Sequence, residues 1–76
     1  MNTLLVEFLR IGIKPEQIAN TISPVLGCSE RTIRNKLNGR SEFTLSEAIK
    51  IKETWFSTLS LDYLFNEKKN IKQNAN

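Results

Sequence analysis

Seventy-six residues with 11 Lys and Arg against 8 Asp and Glu, a net charge of +3, suffice for one small domain and a short tail. A single cysteine, Cys28, and no histidine exclude an intrachain disulfide and a zinc site of the usual Cys/His type, and no paired carboxylates or activated nucleophile point to an enzyme. There is no signal-like N-terminus and no apolar run near the roughly 20 residues that span a bilayer, so a cytoplasmic protein with no membrane partner, metal, cofactor or small-molecule ligand is expected.

In chain order, Leu4, Leu5, Phe8 and Leu9 recur at helical spacing over Thr3 to Ile11, with Glu7 and Arg10 on the opposite side and Gly12 placed to close the helix. Pro15 suits the first turn of a second helix, whose apolar face is Ile18, Ala19 and Ile22. This helix is expected to stop before Pro24, because the residue preceding a proline avoids the helical region. Ser23-Pro24 then starts a separate single turn up to Leu26, before Gly27. Cys28 reads as a small turn or core residue.

Ser29 caps a third helix, in which Ile33 and Leu37 form a thin apolar stripe and Asn38-Gly39 supplies the stop. Thr44-Leu45-Ser46-Glu47 matches a capping box, followed at helical spacing by Leu45, Ala48, Ile49, Ile51, Trp55 and Phe56. Ser60 caps a last short helix with Leu61, Leu64 and Phe65 inward. Residues 67–76 are polar and expected to be a disordered tail behind a domain of residues 1–66. With no sustained period-two alternation, the fold class predicted is all-α, with five short helices around one core. Trp55, Phe56, Tyr63 and Phe65 are most simply core, although their crowding in the C-terminal third, with Lys52 interrupting the stripe, also suits a dimer surface.

The charge is concentrated. From Ser29 to Arg40, four cations (Arg31, Arg34, Lys36 and Arg40) face one anion, Glu30, so this segment carries a net +3 and the remainder of the chain sums to zero. A basic patch on one helix and its exit loop is the footprint of a nucleic-acid binder; a solvated helix face is the plainer alternative. A helix that reads DNA needs a thin apolar stripe, polar residues at its first turns and cations for phosphate. Arg31 or Arg34 can present a fork to guanine O6 and N7, Asn35 can pair with adenine N6 and N7, Thr32 can meet a thymine methyl or a phosphate, and Glu30 can accept from cytosine N4. Glu30 and Arg34 can equally pair with each other across one turn.

The runs Gly27 to Gly39, Phe43 to Ala48 and Leu59 to Phe65 resemble the lambda-repressor-like helix-turn-helix domain of phage repressors, Cro-type proteins and related bacterial regulators, over roughly residues 2–66. The resemblance implies a compact five-helix DNA-binding domain in which Glu30, Arg31, Thr32, Arg34 and Asn35 face bases while Asn38 and Arg40 hold the phosphate backbone. Lys36, on the same basic helix, is a further candidate DNA-binding residue. The family places a glutamine at the start of helix 2; Pro15 stands there in this chain, and Gln17 is the nearest substitute. Seven residues separate Ala19 from Gly27, an insertion of about four relative to the family pattern, or one helical turn.

The function implied is a sequence-specific transcriptional regulator acting by occupancy of a double-stranded DNA operator. A homodimer on pseudo-palindromic half-sites is expected, because one helix reads too few base pairs. The alternative from another class is a small helical protein-interaction module, such as an antitoxin-like or antirepressor-type partner, that uses the aromatic end.

Overall fold

A computed structural model describes residues 3–65 of the chain, and the tail expected at residues 67–76 lies outside them. Among the described residues there is no strand, and the elements are α1 (Thr3–Arg10), α2 (Pro15–Leu26), α3 (Glu30–Leu37), α4 (Leu45–Trp55) and a fifth helical segment, α5, over 61–65. The all-helical class read from the sequence is therefore observed. No described helix is long and apolar enough to cross a membrane.

The ends of the helices follow from local chemistry. Gly12, at φ 94°, closes α1, with its amide on the Leu9 carbonyl at 3.0 Å and the Ile13 amide on the Phe8 carbonyl at 3.0 Å. Pro15 opens α2 at a position where a missing amide costs nothing. Thr44 and Glu47 cap α4 reciprocally: the Glu47 amide donates to Thr44 Oγ1 at 3.1 Å, and the Thr44 amide donates to Glu47 Oε1 at 2.9 Å. Ser60 accepts the Tyr63 amide at 3.1 Å and so starts α5.

α2 packs against α1, α3 and α4, and it supplies Ile18, Ala19 and Ile22 to a core completed by Leu4, Phe8, Ile33, Ile51, Phe56 and Leu64. Phe8 meets Trp55 and Phe56 edge-on, with centroids 5.2 and 5.0 Å apart, while Phe43 meets Phe65 in the same way at 5.8 Å. The aromatic residues of the C-terminal third thus point largely inward, and Tyr63 is the exposed one.

Three expectations are corrected. α2 does not stop before Pro24 but runs unbroken to Leu26. Pro24 lies in the last turn, so only the Asn20 carbonyl loses its amide partner, and Asn20 is exposed to water that can take its place. Glu7, a polar-side residue of α1 by periodicity, is instead buried to 6% exposure. The Tyr63 hydroxyl donates to its Oε2 at 2.6 Å, and Arg10 lies 3.4 Å from its Oε1. That hydrogen bond, with some burial and the Glu7 charge, holds the Tyr63 phenol above its ordinary range against the opposing charge of Arg10. Leu9 and Leu45, both in phase with apolar faces, are exposed; Leu45, at 65%, sits in the first turn of α4, clear of the core that Ala48 and Ile51 reach.

The cap of α4 gives a direct test. Thr44→Ala removes the acceptor for the Glu47 amide and should lower stability by about 1 kcal/mol, read as a shift in the urea midpoint at an unchanged slope.

Candidate nucleic-acid interface

α3 is set by a three-residue turn. Gly27 takes the left-handed region at φ 71°, which permits the Ser23 carbonyl to accept both its amide at 2.9 Å and that of Cys28 at 3.3 Å. Ser23 Oγ donates to the Cys28 carbonyl and closes the turn from the other side. Ser29 is then extended, and its Oγ accepts the Thr32 amide at 3.1 Å and donates to Thr32 Oγ1 at 3.0 Å. At the far end Gly39, at φ 86°, turns the chain so that the Arg40 amide reaches the Asn35 carbonyl at 2.9 Å, which leaves Arg40 exposed just beyond the helix.

Only Ile33 of α3 is fully buried, with Leu37 partly covered. The spacing i, i+3, i+4, i+7 puts Arg31, Arg34, Asn35 and Asn38 in one row on the side away from Ile33. Arg31, Arg34 and Asn38 are exposed; Asn35 and Thr32 are half-buried at the margins. Arg34 Nη2 lies 3.5 Å from Glu30 Oε1, so the i, i+4 pairing read as the plain alternative is present, worth a few tenths of a kcal/mol. Among the described residues, neither Arg31 nor Arg40 has a carboxylate within ion-pair distance. Gln17 is exposed in the first turn of α2, on a different element from this row.

Lys36 differs from the other residues of the basic set. Its side chain is 12% exposed and crosses to α4, where Nζ meets Glu47 Oε1 at 2.7 Å; it also donates to the Glu42 carbonyl at 3.3 Å and lies 5.8 Å from the Phe43 ring centroid. Glu47, the residue that completes this arrangement, is visible in the sequence only as half of a capping box. A partner eleven positions away leaves no periodic signal. Burial alone would push the Glu47 carboxyl up, but the hydrogen bonds from Lys36 and the Thr44 amide, the charge of Lys36 and a contact from the Cys28 thiol at 3.8 Å together hold it below its ordinary value.

Comparison with protein-family models, with curated proteins and with solved structures finds no match to this chain. The geometry of the chain itself therefore carries the functional reading.

A lowered carboxyl pKa contributes stability that is present above the ordinary glutamate value and is lost as pH falls through the lower, folded-state value. Glu47→Gln keeps a residue able to cap α4 but removes the ionic partner of Lys36, so it should flatten the acid limb of stability. The check is the urea midpoint of both proteins between about pH 7 and about pH 3, where the wild type should lose more stability than the variant.

Proposed function

We propose that this protein is a sequence-specific binder of double-stranded DNA that regulates transcription by occupying an operator, in the manner of small phage or mobile-element repressors, and that α3 enters the major groove. The observation that carries the proposal is the outward row Arg31, Arg34, Asn35 and Asn38 on a helix that commits little more than Ile33 to the core. A solvated helix face would share that exposure; what favours the proposal is that, among the described residues, Arg31 in the row and Arg40 just beyond it have no carboxylate within ion-pair distance. The three-residue connection between α2 and α3 agrees with a lambda-repressor-like helix-turn-helix, the extra residues after Ala19 being taken up as one further turn of α2. In this reading Glu30, Arg31, Thr32, Arg34 and Asn35 face base edges, Asn38, Arg40 and Gln17 hold phosphates, and Lys36 fixes α3 to α4. Two copies on half-sites about 34 to 36 Å apart would supply the needed specificity.

A second reading, a helical protein-interaction module, is favoured by Leu9 and Ile11, which are 45% and 48% exposed at the end of α1. Absence of retention on duplex DNA at low salt would support it over the first.

Base reading and backbone anchoring should fail differently. Arg31→Ala should cost about 1 to 3 kcal/mol on the preferred site and relax one base pair per half-site, with scrambled duplex affected less. Arg40→Ala should weaken every sequence by a similar factor and lower the salt slope by about one for each phosphate that the protein no longer neutralises. Titration of preferred and scrambled duplexes over a salt series separates the two, with circular dichroism confirming that both variants fold.

A further inference from the structure

We infer that Glu30 and Arg34 act together as one recognition unit for a single C·G base pair; the inference rests on the duplex-DNA reading above and specifies part of the site it takes. The two side chains stand 3.5 Å apart on adjacent turns of α3 and are 47% and 56% exposed. A carboxylate only accepts hydrogen bonds and a guanidinium only donates them, through five N–H groups in a rigid fork. Held side by side, they offer acceptor, donor, donor in a row. The major-groove edge of a C·G pair offers the complement, with the cytosine N4 donor followed by the guanine O6 and N7 acceptors. An A·T pair does not, because the adenine N6 donor has a single acceptor on each side and the thymine methyl lies beyond one of them, leaving one guanidinium N–H without a partner.

The position of Glu30 argues the same way. It occupies the first residue of α3, where free amides and the positive end of the helix dipole would otherwise attract a phosphate. Its carboxylate repels phosphate there, so this end of the helix suits an uncharged base edge and not the backbone. Arg34 offsets that negative charge, which lets the carboxylate approach a polyanion while the four remaining N–H groups of the guanidinium stay available.

The test is selection of bound sequences from random duplex DNA with the wild type, Glu30→Ala and Arg34→Lys, followed by titration of the selected sites. The wild type should enrich a C·G pair at one position of each half-site. Glu30→Ala should reduce discrimination at that position by about tenfold without lowering affinity for scrambled duplex. Arg34→Lys keeps the charge but loses the fork, so it should lose the same position while its salt dependence holds. If Glu30→Ala selected the same base there with undiminished discrimination, or the two variants relaxed different positions, the shared unit would be overturned while DNA reading by α3 stood. If the wild type bound no duplex at low salt, both the unit and the DNA reading would fall.

Discussion

The carboxylate of Glu47 joins three parts of the chain that would otherwise be independent. One oxygen takes the Thr44 amide and the Lys36 ammonium, and the other receives the Cys28 thiol, so the start of α4, the far flank of α3 and the turn that precedes α3 converge on one side chain. An ion pair in open solvent contributes little. This one is largely covered and shares its acceptor with a helix cap, so it is less screened by solvent. Together with Ile33 in the core, it ties the Lys36 flank of α3 to α4, so that the opposite flank is the one left to solvent.

The outward row is consequently as much a product of packing as of composition. Ile33 enters the core beside Ile18 and Ile22, Lys36 is drawn toward α4, and what remains for solvent is the opposite flank. Of the four cations on this segment, Lys36 is held by Glu47 and Arg34 by Glu30, which leaves Arg31 and Arg40 without a carboxylate at ion-pair distance among the described residues. The flank of α3 away from Ile33 thus carries hydrogen-bonding side chains together with a modest positive charge.

What can be read from the sequence is what is encoded within one or two helical turns. Ser29, Thr44 and Ser60 cap the helices whose starts they mark, Gly12, Gly27 and Gly39 all adopt positive φ at turns, and the exposed row of α3 is visible in its thin apolar stripe. Contacts between distant residues are hidden. Glu7 reads as a polar-face residue until Tyr63, 56 positions on, supplies a hydroxyl to bury it against, and Lys36 reads as a free cation until Glu47 is folded beside it. Leu45 is apolar and in phase, but at the first turn of α4 it lies clear of the core and stays exposed. Pro24 misleads for a different reason: the proline rule describes helix interiors, and one unmatched carbonyl near an exposed end is inexpensive.

That proline also bears on how the molecule opens. With no amide at position 24, the last turn of α2 leans on the Ser23 carbonyl, which gathers the amides of Gly27 and Cys28, and on the Ser23 hydroxyl bound to the Cys28 carbonyl. The end of α2 and the turn are therefore tied to each other by shared hydrogen bonds. Both belong to one cooperative opening unit, and the hydrogen-exchange rates of the Gly27 and Cys28 amides should rise and fall together.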